Sequence, residues 1–304
     1  MARPFDPNAN LPATPARLVD RLRSYDFVIK SVDAAGGGVM GAKKLGLVFP
    51  KDGLEIDVKW KAAPPGGEGW NNSPRREIGA YAVQELFLDP DDYPVPPVVA
   101  RGIPLDAYAV VDEAATPNIE GTRCVFGGMA AWLENVAQPE NAFDPERFSA
   151  DRRYAFHFAN LNLLAYLIAH RDARSNNFLM PKDPSNPRVF SIDNGIAFGG
   201  VFYNFVTWHF DEIRTAGLPK PSIDRLRRVS RETLSGLGVL GELHADSAGV
   251  LSAVTPGENL DPKVGTRVAP GRIQLGLTTA EIDGIATRLQ ELLARIDAGE
   301  LGVF

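Results

Sequence analysis

The chain has one cysteine, Cys124, in 304 residues. A lone thiol excludes an intramolecular disulfide framework and any cysteine-cluster zinc site, and Cys124 reads as a small buried hydrophobe. Histidine is scarce as well: the four residues do not cluster at ligand spacing, and His157 and His209 are assigned no role. No apolar run approaches the ~18 residues of a membrane span. Basic charge is in deficit, with 32 Lys and Arg against 38 Asp and Glu for a net charge of −6. That balance argues against a general nucleic-acid binder, which needs a basic surface. No internal repeat is visible. The opening stretch, MARPFDPNANLPATPARL, lacks the apolar core of a signal peptide, so the expectation is a cytoplasmic protein, with a removed export leader left open. What is present is ordinary for a globular protein: 44% hydrophobic and 23% charged residues. Fibrous, collagenous and wholly disordered classes are excluded, and the length suits one large domain or two small ones.

Residues 1–15 read as a flexible Pro/Asn-rich arm. Leu18, Leu22 and Tyr25 share one face of a short helix over 16–28. A glycine-rich turn, Gly36 to Gly38 and then Gly41, lies between segments that read as strands. Leu45, Leu47 and Phe49 alternate, as do Leu54, Ile56, Val58 and Trp60, with the turn dipeptide Asp52-Gly53 between them. Residues 38–62 therefore predict two or three antiparallel strands. Ser73-Pro74 is a cap followed by proline at the first helical position, and the helix carries Ile78, Ala82 and Leu86 on one face. Residues 95–125 read as further strands and loops, and Gly127-Gly128 as a hinge into AAWLENV. YAFHFANLNLLAYLIAH is apolar almost all round and predicts a buried helix. Two short extended pieces, NFLM and RVFSID, follow. Residues 201–304 read as mostly helical, ending in a helix with the capping box Thr278-x-x-Glu281 and a stripe of Ile282, Ile285, Leu289, Leu292, Leu293 and Ile296. The fold class is α+β: a small β-rich part with one helix, then a larger helical part. A cleft between two such parts is a natural small-ligand site.

The most informative stretch is HRDARSNNFLM, then FSIDNGIAFG. His170, Arg171, Asp172, Asn176, Asn177 and Asp193 sit among apolar neighbours, after a buried helix and beside short strands. Two aspartates and an asparagine at strand ends make a hard-oxygen site for Mg²⁺ or Mn²⁺, a metal suited to phosphate chemistry. Asn176 and Asn177 both qualify as the amide ligand. Each motif also has a bland reading: His170-Arg171-Asp172 as a helix end with a local ion pair, Asp193-Asn194-Gly195 as a turn, Lys59 and Lys61 as a solvated strand face, Glu77 as a carboxylate complementing a helix N-terminus.

His170-Arg171-Asp172 with Asn177 resembles the H-R-D-x-x-x-x-N catalytic loop of protein kinases, and Asp193-Asn194-Gly195 stands where those enzymes have D-F-G. The DNG form resembles the atypical branch of that superfamily: the Golgi secretory-pathway kinases with Four-jointed, and more distantly HipA-type kinases and phosphatidylinositol 3/4-kinases. RREIGAY at 75–81, VPPV at 95–98 and GGMAAWL at 127–133 resemble the helix, strand and linker of the secretory kinases. The resemblance spans roughly residues 36–199. It implies a two-lobed protein-kinase-like fold, with an N-lobe over 16–125 and a larger, mostly helical C-lobe over 126–304.

The resemblance also implies roles. Asp172 would be the catalytic base. Asp193 and Asn177 would hold the metal ion, Mg²⁺ or Mn²⁺. Glu77 would pair with a strand lysine that holds the ATP phosphates, and both Lys61 and Lys59 fit, being on one face of one strand. Gly37, Gly38 and Gly41 would cover the phosphates with backbone N–H groups. The implied activity is transfer of the γ-phosphoryl group of ATP to a hydroxyl on a protein or small molecule, with no nucleic-acid partner and no membrane span. A nucleotide-binding pseudokinase, a nucleotidyl transferase and a plain scaffold are the rival readings.

Overall fold

The computed structural model describes residues 9–24, 26–36, 41–70, 72–199 and 210–304. Residues 1–8 of the expected arm, Tyr25, Gly37, Gly38 and His209 lie outside them. The rest of that arm is built into the molecule. Asn10 and Leu11 are buried, and the Asn10 side chain donates to the Glu134 carbonyl at 2.8 Å. An asparagine that bonds backbone is as well anchored as an apolar side chain, which its polarity conceals in the sequence.

Thr14 caps α1 (Pro15–Arg23), which buries Leu18 and Leu22. Next come β1 (Val28–Ala34), β2 (Lys43–Phe49) and β3 (Leu54–Ala62), paired antiparallel. The β2–β3 turn is the expected one, with Gly53 at a φ of 68°, a left-handed conformation that favours glycine. Alternation sends Leu45, Leu47, Phe49, Ile56, Val58 and Trp60 into the core. After α2 (Pro74–Gln84), β4 (Val98–Pro104), the short α3 (Leu105–Tyr108) and β5 (Cys124–Ala131) follow. The five strands form one sheet in the order β1-β2-β3-β5-β4. Gly127 and Gly128 lie inside β5 and are no hinge; the strand also straddles the expected boundary at 125. A Cβ on Gly127 would stand 2.2 Å from the Lys61 carbonyl oxygen, so the glycine serves close approach of β3 to β5.

β6 (Val136–Ala137) and α4 (Pro145–Ala150) precede α5 (Arg152–Leu167). Helix α5 is buried on nearly all sides, as its composition predicts. Its polar Asn162 is fully engaged: the amide donates to Phe210 and Glu212 carbonyls and accepts from the Arg214 and Thr215 amides. β7 (Phe178–Pro181) and β8 (Phe190–Ser191) complete a three-stranded sheet with β6.

The C-terminal part departs from the expectation of a mostly helical segment. β9 (Gly217–Leu218), α6 (Lys220–Leu226) and α7 (Arg231–Ser235) lead into β10 (Gly241–Ala245), β11 (Leu251–Val254), β12 (Thr266–Ala269) and β13 (Arg272–Leu275). These last four make an antiparallel sheet in the order β11-β10-β13-β12. α8 (Thr279–Asp297) carries the expected capping box and buries Ile282, Ile285, Leu289 and Leu292; β14 (Gly302–Val303) pairs with β9. One face of this sheet is apolar and buried, the other polar and only partly covered. Leu243, Leu251, Ile273 and Leu275 pack with Ala63, Ile119, Cys124 and Phe126 of the first sheet's region. On the other face Glu242, Arg267 and Gln274 are buried and bonded to one another and to backbone. Glu242-Leu243-His244 and Arg272-Ile273-Gln274-Leu275 alternate polar and apolar, but over strands of only five and four residues, the short end of the pattern that marks a strand.

Candidate active site

β3 has a period of two, so Lys59 and Lys61 project to one face while Val58 and Trp60 enter the core. Both ammonium groups donate to the same oxygen, Asp193 Oδ1, Lys59 from 2.6 Å and Lys61 from 2.5 Å. Lys61 also lies 3.7 Å from Glu77 Oε1. The other Glu77 oxygen accepts from the Asn194 backbone N–H at 3.0 Å. Glu77 thus faces both the strand lysine and the turn after Asp193. Of the two candidate lysines, the helix carboxylate pairs with Lys61, and Lys59 joins the cluster through Asp193.

The helix that carries Glu77 starts where Ser73-Pro74 predicts, with a variation at its cap. Ser73 occupies the cap position, but its hydroxyl donates to Glu68 Oε1 at 3.0 Å and not back to its own helix. Asp193 follows β8 in a left-handed conformation, φ 59° and ψ 49°. Such a conformation is uncommon for a non-glycine residue and clusters at functional turns. Burial alone pushes the Asp193 carboxyl up; the Lys61 and Lys59 ammonium groups outweigh it and hold the group down to about 2. Burial pulls the Lys61 ammonium down, while Glu77 and Asp193 overcome it and keep the group above its ordinary range. Each charge keeps its partners charged.

The second group of residues sits on the loop after α5. Asn177 donates from its amide to the Asp172 carbonyl and to Asp172 Oδ2, both at 2.8 Å. Arg174 Nε lies 2.7 Å from Asp172 Oδ1. The Asn177 carbonyl accepts from the Ile192 N–H at 2.9 Å, so Asp172–Asn177 and Asp193 are carried on adjoining backbone. Under them the His170 ring is wholly buried. Burial lowers it to about 4, against the raising influence of Asp193 and the Ile192 backbone. Gly36 and Gly41 have φ of 70° and 67°, and a Cβ on either would meet nothing within 4 Å. Gly41 therefore serves the bend of the chain and leaves open space beside it.

Lys59, Lys61, Glu77 and Asp193 come together in one charged cluster, with Asp172 and Asn177 bonded on the neighbouring loop. Sequence reasoning missed Arg174, which restrains Asp172, and the Asn194 N–H, which anchors Glu77. Arg174 stood two positions after Asp172, a spacing at which a loop can pair opposite charges. The Asn194 contact has no local signal, since Glu77 is 117 positions away.

As chemistry, the donors suit a hard cation: Asp193 offers a carboxylate oxygen and Asn177 an amide oxygen, with the Asp172 carboxylate bonded beside Asn177. Among the described residues no group of three or more His, Cys, Asp and Glu stands at metal-ligand spacing. A cation here would take further oxygens from phosphate and water, as Mg²⁺ usually does. No protein-family model matches the chain, and no curated protein matches it.

Proposed function

We propose that this chain is an atypical kinase of the two-lobed protein-kinase-like kind, transferring the γ-phosphoryl group of ATP to a hydroxyl acceptor. The observation that carries the reading is the bridge made by Lys61 between Glu77 of a helix and Asp193 of a turn. A strand lysine, a helix carboxylate and a metal-binding carboxylate in one cluster are the parts that position and neutralise a triphosphate. The five-stranded sheet with α2 would form the smaller lobe. Helix α5 and the loops after it would form the floor of the larger one.

In this reading Lys61 moves its ammonium from Asp193 to the α/β phosphates and stays oriented by Glu77. Lys59, released from the same carboxylate oxygen, adds a second positive charge to the phosphate site. Asp193 and Asn177 would hold Mg²⁺ or Mn²⁺, and the cation would supply neutralisation of phosphate charge. Asp172 accepts the proton of the acceptor hydroxyl. The hydroxyl oxygen bonds to the γ-phosphorus, and the bond from that phosphorus to the β–γ bridging oxygen breaks, leaving ADP. Arg174, already beside Asp172, places a guanidinium where charge builds on the transferred group. Positioning and charge neutralisation provide most of the catalysis.

The test is incubation of the full chain with ATP and Mg²⁺ or Mn²⁺, alone and with protein and small hydroxyl acceptors, beside Asp193→Ala. ADP and a phosphorylated product from the wild type only are the expected result. AMP release with an adenylated product, or no metal-dependent nucleotide binding, contradicts the reading.

A further inference from the structure

Helix α2 is gripped by the C-terminal part of the chain. Arg75, two positions before Glu77, is almost completely buried, its side chain 5% exposed. Its guanidinium donates to Glu68 at 2.9 Å and to Glu281 Oε2 at 2.7 Å. Glu281 is the capping-box residue of α8, so one carboxylate closes the start of α8 and holds the start of α2. Gly265, between the sheet strands and the loop before them, lies so close under Arg75 that a Cβ there would reach 2.1 Å from Arg75 Nε. One turn on, a Cβ on Gly79 would meet Leu277 at 2.9 Å and Phe198 at 3.1 Å. Helix α2 thus packs closely against the segment after Asp193 and the entry to α8 at Gly79. The same C-terminal part is bonded to the strand region beyond: Arg123 N–H to the Gly249 carbonyl at 2.7 Å and Gly271 N–H to the Glu120 carbonyl at 2.8 Å.

We propose that residues 241–297 act as a built-in clamp on α2, with Arg75 the positioning residue through which Glu281 sets Glu77 against Lys61 and the Asn194 amide. The functional consequence rests on the phosphoryl-transfer reading; the clamp itself does not. A helix held from within the same chain keeps its carboxylate in place without a separate activating partner. Two observations of different kind agree on this: the buried, doubly paired guanidinium, and the close apolar contact at Gly79.

The experiment uses the full chain and two variants. Glu281→Gln keeps the capping box, because glutamine accepts the same backbone N–H, and removes the charge facing Arg75 and Arg76. Arg75→Lys keeps the charge and loses the fork that reaches two carboxylates. Glu300→Gln, in the exposed pair with Arg295, is the control. Amide hydrogen exchange without nucleotide is read over α2, α5 and α8, and KM and kcat for ATP are measured in parallel. The expected result is exchange about tenfold faster in α2 with α5 unchanged, since the pairing loses its charge assistance and is local. The KM for ATP rises by about the same factor in Glu281→Gln and by less in Arg75→Lys, and the pH profile of kcat keeps its shape. Unchanged α2 exchange overturns the clamp, and so does faster exchange of α2 and α5 together, which signals general loosening. A wild type that consumes no ATP, with α2 still responding, removes the phosphoryl-transfer reading and leaves the clamp standing.

Discussion

Asp193 holds an unfavourable backbone conformation and two ammonium groups at once, and its neighbours on the loop are tied as firmly. Asp172→Asn is expected to lower phosphoryl transfer by about 10²–10⁴-fold, the range for a positioned acid–base group, with ATP affinity by calorimetry little changed. Proportional loss of binding and turnover would make Asp172 part of the metal or structural framework. The two lysines are expected to differ. Lys61→Met, which strands Glu77, should reduce kcat/KM for ATP by about 10²-fold or more, and Lys59→Met by about tenfold. Equal effects would mean that pairing with Glu77 does not single out Lys61. His170 gives a pH signature. Its native value of about 4 lies below its ordinary 6.5, so the unfolded chain takes up the proton first as pH falls. The His170 contribution to stability is therefore fully present above about pH 6.5 and is lost as pH drops toward 4. Between pH 7.5 and pH 5 the loss due to His170 is about 2 kcal/mol. Denaturant midpoints for wild type and His170→Asn at both pH values check this; the variant should lose less, and parallel losses would contradict it.

At the scale of elements, the contact of β3 with β5 carries the lysines to the site. Gly127→Ala would force a methyl against the Lys61 carbonyl, and overpacking of this kind costs about 1–3 kcal/mol. Urea denaturation should show that loss together with weaker ATP binding; a neutral substitution would place β3 and β5 further apart than described. Local patterns predicted many of these elements. Asp52-Gly53 marked the hairpin, alternation marked the faces of β2 and β3, and Thr278 with Glu281 marked the start of α8. What was hidden depends on residues distant in the chain. Gly127-Gly128 reads as a hinge until Lys61 is seen against it. β10 and β13 alternate polar and apolar residues, but over only five and four positions, and their bonded side chains Glu242 and Gln274 stand 32 positions apart. For the candidate site, the resemblance pointed to Lys59, Lys61, Glu77 and Asp193, which lie together, whereas the choice between Lys59 and Lys61 as the partner of Glu77 could not be read. Both lie on one strand face, and only the position of α2 assigns Glu77 to Lys61.

Taken as a whole, the molecule returns its C-terminal part to its first sheet. Leu243, Leu251, Ile273 and Leu275 share a core with Ala63, Ile119, Cys124 and Phe126, and α8 packs in the cluster that holds α2 and α5 residues. Parts that share buried surface unfold together. Tryptophan fluorescence and far-UV circular dichroism should therefore give coincident urea transitions, and two separated transitions would show independent units. The same return of the chain holds the helix with Glu77 beside the lysines and Asp193, where ATP chemistry is proposed. That chemistry is tested most directly by following ATP labelled at the γ-phosphate with Mg²⁺ and Mn²⁺, wild type beside Asp193→Ala. Metal-dependent transfer of the γ-phosphoryl group, with ADP formed by the wild type and lost by about 10²-fold or more in the variant, is the expected result. Equal ADP formation by both proteins, or cleavage of ATP to AMP, would contradict it.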